Sequence, residues 1–273
     1  MARVEPAPVP VVERLTGHNP LGEFQAMRRR TLLGAGAGLL LARPAIATAA
    51  ANAAEVDLLL VLAADISHSM QEAELRMQRE GYAAALRDPE VLQAMCSGPC
   101  EAVAVAYLEW SGAEDQRVLL PWTRIGAAAE AEAAADTIAR APQRSGSWTS
   151  ISGAIAASRR LIAAAPFAAE RSVIDISGDG ENNSGPPAEG ERDAAVEAGI
   201  VINGLPILRG TTRTMNAGGD VNPLEEHYRR VVTGGAGAFV LPAENFGVFP
   251  GAIRRKLVLE VAGGAPDPAS APG

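Results

Sequence analysis

From residue 55 onward the chain alternates nearly continuous apolar runs with amphipathic stretches, and this alternation restricts the fold more than any other feature. Residues 56–64 (VDLLLVLAA), 103–110 (VAVAYLEW), 172–177 (SVIDIS) and 200–207 (IVINGLPI) are too apolar for strands with one wet face. Each is expected to be covered on both sides. Between them lie helical patterns. Residues 71–87 place Leu75, Tyr82 and Leu86 at helical spacing and stop before Pro89, and further helices are expected over 127–140, 150–164, 188–198, 224–232 and 246–261. The run 116–120 follows a short polar turn and should pair antiparallel with 103–110. A last short strand is expected at 238–241. Single helices between strands require right-handed crossovers. The expected fold is therefore α/β: a three-layer, Rossmann-like sheet, mostly parallel with one antiparallel edge strand, and helices on both faces.

Aromatics make up only 4 % of the residues, so the core must be built from Ala, Val, Ile and Leu. Asp175 interrupts the apolar strand 172–177 and needs a partner once buried; Arg79 and Arg171 are the candidates. Asp57, near the start of the first strand, is expected to be exposed.

The chain preceding this pattern has a different character. Arg28-Arg29-Arg30-Thr31-Leu32-Leu33 leads into a short apolar run and then small residues, the layout of an export signal. The arginine pair followed by x-Leu-Leu resembles the twin-arginine signal, and the general secretory route is the alternative. The expected organisation is an upstream extension at 1–26 with Met27 as the true start, a signal at 27–54, one domain at 55–262 and a flexible tail at 263–273. The mature protein is then periplasmic or secreted and has no transmembrane segment. Residues 1–54 carry six Arg and three Glu, leaving 18 basic and 29 acidic side chains in the remainder. Such an acidic domain without a basic stripe excludes nucleic acid as a partner. Cys96 and Cys100, in Cys-Ser-Gly-Pro-Cys, either close a short disulfide or stay free.

Three polar clusters fall where open α/β sheets bind ligands, beyond the carboxyl ends of strands. Asp65-Ile66-Ser67-His68-Ser69 follows the first strand. Gly146-Ser147-Trp148-Thr149 precedes a helix. Ser177-Gly178-Asp179-Gly180 ends the strand begun at 172. Asp-x-Ser-x-Ser, a Thr in a Gly/Ser turn and Asp-Gly, in that order, resemble the metal-ion-dependent adhesion site of von Willebrand factor A (VWA) domains. The resemblance spans about residues 55–260 and comes nearest to the uncharacterised secreted bacterial branch called domain of unknown function 1194.

It implies Ser67, Ser69 and Thr149 as direct ligands, with Asp65 and Asp179 reaching the ion directly or through water. Mg²⁺ is the implied ion, with Mn²⁺ or Ca²⁺ as alternatives. Neutral hydroxyl ligands leave the ion most of its charge, and an open coordination position then accepts a carboxylate. The implied function is an adhesion or scaffold type of protein binding, in which the metal bridges to an Asp or Glu of a partner protein, without enzymatic turnover. Two departures from the pattern stand out. Gly178 replaces the Thr that many relatives place before Asp-Gly, which is expected to loosen the loop, and Trp148 brings a bulky neighbour to the rim.

Other readings compete. An Asp ending the first strand is also the nucleophile of haloacid-dehalogenase-like phosphatases, which use Mg²⁺. They need a second acid two residues on, where this chain has Ser67, and a later Lys, for which only Lys256 exists. A subunit that inserts the domain into an assembly with an empty site is a third reading. The histidines offer no triad or zinc centre: His68 falls at a variable position of the motif, His227 on a late helix and His18 in the leader. Trp110 serves equally well as a rim contact or as core.

Overall fold

Five strands form the central sheet: β1 (Leu58–Asp65), β2 (Val103–Trp110), β3 (Gln116–Ile125), β4 (Ser172–Gly178) and β5 (Ile200–Pro206). They lie in the order β3-β2-β1-β4-β5, all parallel except β3, which runs antiparallel to β2 at one edge. The computed structural model describes residues 53–264, apart from 211–213 and 217–218. The upstream extension 1–26, nearly all of the export segment 27–54 and the tail beyond 264 lie outside the described residues. Among the described residues, no helix is long and apolar enough to cross a membrane.

Every residue of β1 is buried, because helices cover both faces of the sheet. Leu58, Leu60 and Leu62 point to one side, against α1 (Glu72–Arg87), α2 (Pro89–Met95), α3 (Ala128–Arg140) and α7 (Phe249–Ala262). Val61 and Ala63 point to the other, against α4 (Ile151–Ala163) and α5 (Ala188–Glu197). The three-layer expectation holds. Three local details differ. β3 extends past Pro121 to Ile125 with register shifts opposite 105–108, since an edge strand tolerates a proline whose missing N–H faces outward. The strand expected at 238–241 is reduced to single bridges from Val240 and Ala243 to β5 and its extension. The helix expected at 224–232 starts as α6 (Pro223–His227) and continues as a π-helical turn, Tyr228–Val232.

The buried charges pair differently from expectation. Asp175 meets neither Arg79 nor Arg171. It faces α7, where Lys256 Nζ lies 2.5 Å from Asp175 Oδ1 and 2.5 Å from Glu260 Oε1, with all three side chains fully buried. Arg79 instead reaches Glu109 on β2 at 2.5 and 2.8 Å. Arg171 donates to the carbonyls of Glu260 and Val261, closing the carboxyl end of α7 where helix carbonyls lack partners. Asp57 is half-buried rather than exposed, because its carboxylate accepts from the N–H groups of Cys100 (2.9 Å) and Ala102 (3.3 Å). Cys96 and Cys100 are free thiols.

Candidate metal centre

β1 has β2 on one side and β4 on the other, so the strand order reverses beside it. The loops leaving the carboxyl ends of β1 and β4 therefore diverge, which opens a crevice of the kind in which such sheets bind ligands.

Asp65 ends β1 and is completely buried. Gln78 of α1 fixes its backbone by donating to the Asp65 carbonyl (2.8 Å). The side chain folds back on the loop that follows. Oδ1 accepts from the Ser67 N–H at 2.7 Å, a turn that Asp favours for this reason, and Oδ2 accepts from the Ser67 hydroxyl at 2.9 Å. Ser67 Oγ lies 3.0 Å from Ser69 Oγ. Ser69 in turn donates to Asp179 Oδ1 at 2.6 Å, across 110 residues of sequence. A chain of oxygens thus runs from Asp65 through Ser67 and Ser69 to Asp179.

Thr149 arrives from a third segment. Its N–H donates to Asn183 Oδ1 (2.9 Å), and its carbonyl accepts from the N–H groups of Asn183 (2.8 Å) and Ser184 (3.1 Å). The turn is thereby fastened to the loop that follows Asp179. Ser150 then caps α4 by accepting from the Gly153 N–H (3.2 Å). A β-carbon on Gly180 would stand 3.6 Å from Thr149 Oγ1, which puts the Thr149 hydroxyl beside Asp179-Gly180. All five residues singled out by the sequence converge here.

The site disfavours a bare negative charge on Asp65. Burial, and then the charge of Asp179, push the Asp65 carboxyl up to about 8, although the bonds from Ser67 pull the other way. One fixed cation is present that sequence reasoning missed. Arg209 donates from Nε to Asp179 Oδ2 (2.5 Å), from Nη2 to the Ser69 carbonyl (2.8 Å) and Glu74 Oε2 (2.7 Å), and from Nη1 to Glu74 Oε1 (3.1 Å). Its guanidinium also lies 5.5 Å from the centre of the Phe246 ring. The only signal in the sequence was its place, the first charge past the end of β5.

The five side chains offer hydroxyl and carboxylate oxygens alone, a set that suits a hard divalent cation. Among the described residues, no three His, Cys, Asp or Glu side chains come together as a metal cluster, so hydroxyls rather than an acidic cage would supply most contacts. His68 is exposed, while His227 Nδ1 lies 3.8 Å from Glu181 in the loop after Asp179. Trp148 is 61 % exposed and Trp110 is fully buried; of the two, only Trp148 stands at the rim. Gly178 sits in a crowded place rather than a loose one: a β-carbon there would lie 2.9 Å from the Tyr228 hydroxyl and 3.0 Å from Asp65 Oδ2.

The family model described as "Protein of unknown function (DUF1194)" matches residues 55–265. No curated protein matches the chain. Among solved structures it is similar to a von Willebrand factor type A protein from Catenulispora acidiphila (14 % identity, TM-score 0.54, covering 76 % of this chain and 43 % of that one). It is also similar to proximal thread matrix protein 1 from the mussel byssus with a zinc-occupied MIDAS motif (14 %, 0.53, 77 % and 48 %). A third is the pilus adhesin SpaC from Lactobacillus rhamnosus GG (13 %, 0.50, 77 % and 31 %). The chain spans less than half the length of each. At such identities the likeness shows the fold alone, and that fold is the VWA type.

Proposed function

Because the chain belongs to the DUF1194 family and has the VWA fold, we propose that residues 55–262 form an exported, metal-dependent protein-binding domain without enzymatic turnover. The observation that carries this reading is the hydrogen-bonded chain Asp65–Ser67–Ser69–Asp179 at the reversal of strand order, with Thr149 alongside. Ser67, Ser69 and Thr149 would hold the ion through their hydroxyls, and Asp65 and Asp179 would reach it directly or through water. Mg²⁺ is the first choice, with Mn²⁺ or Ca²⁺ next; the zinc-occupied motif of the mussel protein supports a divalent ion of some kind. A divalent ion beside Asp65 would offset the burial and the Asp179 charge that push its carboxyl up.

The bound ion would offer an open position to an Asp or Glu of the partner. Trp148 beside it supplies apolar contact of the kind that dominates interface energetics. The phosphatase reading loses its lysine: Lys256 is sealed in the core between Asp175 and Glu260. Export through the twin-arginine or general secretory route would deliver the domain to the periplasm or beyond.

The test is retention of a partner from envelope extracts on the immobilised protein. It is expected in Mg²⁺, lost in EDTA and lost in Thr149→Ala; retention that ignores both contradicts the reading.

Arg209 makes a second expectation measurable. Its guanidinium stands on Asp179 and repels an incoming cation, although its side chain is 37 % exposed and partly screened. Arg209→Ala should therefore tighten divalent-ion binding by roughly five- to tenfold. Calorimetric titration with Mn²⁺ would measure this, and weaker binding in the variant would show that Arg209 supports the site instead.

A further inference from the structure

Tyr228 is set into the sheet edge at a cost that its ring alone does not explain. It opens the π-helical turn Tyr228–Val232, a distortion found disproportionately at functional sites, and it is fully buried. Two strands give up side chains to admit it. A β-carbon on Gly204 of β5 would meet Tyr228 Cδ1 at 2.7 Å, and one on Gly178 of β4 would meet the hydroxyl at 2.9 Å. The hydroxyl has no hydrogen-bond partner. A buried hydroxyl without a partner destabilises a fold, whereas phenylalanine would fill nearly the same volume without that cost.

The position of the hydroxyl explains why it is there. Tyr228 Oη and Asp65 Oδ2 lie within 3.0 Å of one common point above Gly178, yet no direct bond joins them. Each is thus within reach of a single bridging water. We propose that Tyr228 is a positioning residue of the cation site: it holds, from the side opposite Asp65, the water through which Asp65 reaches the ion. A cation-bound water would have two protons to donate, and Asp65 Oδ2 and the Tyr228 oxygen would be the acceptors that hold it. Gly178, which occupies the place of the usual Thr, then belongs with Tyr228 as a pair. The missing side chain at 178 makes room for a hydroxyl delivered from a different element. This inference rests on the cation-binding reading above.

The test is Tyr228→Phe in the full chain, compared with the parent in three measurements. Without added metal its melting temperature should match or exceed that of the parent, because an unpaired buried hydroxyl is removed. Its dissociation constant for Mg²⁺ or Mn²⁺ should rise about fivefold or more. Mg²⁺ is optically silent, so a tyrosine absorption difference on adding it should appear in the parent and vanish in the variant; the chain has only three tyrosines. Unchanged affinity in the variant overturns the proposal, as does a tyrosine-band difference that persists without Tyr228. A parent that binds no divalent ion overturns the cation-binding reading itself.

Discussion

Replacing Lys256 with methionine is expected to destabilise the domain by about 3–5 kcal/mol, the usual consequence of removing one partner from a buried ion pair. At this size that is a fall of roughly 6–20 °C in melting temperature. The ammonium is the one cation between Asp175 and Glu260, both fully buried. Asn203 is the other donor to Glu260 (3.1 Å). Without the lysine, two carboxylates face each other in a low-dielectric layer. Burial raises both, and Glu260 is pushed up to about 7 by burial and then by the charge of Asp175.

A carboxyl raised in the folded state binds its proton more tightly there than in the unfolded chain. Stability therefore falls as pH rises from the usual glutamate range through about 7. In Lys256→Met the remaining counter-charge is gone, so the deficit should be smallest in acid, where both carboxyls are protonated, and should grow toward pH 8. Urea unfolding at pH 5 and pH 8 would measure it. A deficit under about 1 kcal/mol, or one that ignores pH, would contradict this account of the core.

The fold was legible because each buried strand had to be apolar on both faces, a demand that the runs at 56–64, 103–110, 172–177 and 200–207 meet openly. The five candidate residues stood out for a related reason: Asp, Ser and Thr at the carboxyl ends of such strands have few structural duties beyond turns and caps. What escaped notice came from single polar residues with no period around them. Arg209 lies in a polar loop, and nothing in its neighbourhood announces that it crosses to Asp179.

Tyr228 left a fainter trace, two strand glycines whose positions signal close approach by something large; Gly178 marks crowding, not slack. Lys256 carries a compositional signal. It is the sole lysine in a chain whose other basic residues are arginines. Two carboxylates 2.5 Å from one atom require a compact ammonium, which the broad planar guanidinium does not imitate.

The second large effect concerns the proposed cation. An ion that binds only the folded chain stabilises it by about 2.7 kcal/mol at a hundredfold excess over its dissociation constant, or roughly 5–10 °C for a domain of this size. Asp65→Asn should keep the fold, since the amide oxygen can still accept from Ser67, and should lose that rise. A variant that responds to Mg²⁺ like the parent would place the ion elsewhere. The most direct measurement is equilibrium dialysis of the intact protein against Mn²⁺, with the metal counted on each side of the membrane. The account predicts one ion per parent chain and none above background in Asp65→Asn; a parent chain that holds no ion at millimolar Mn²⁺, or equal uptake by both proteins, would contradict it.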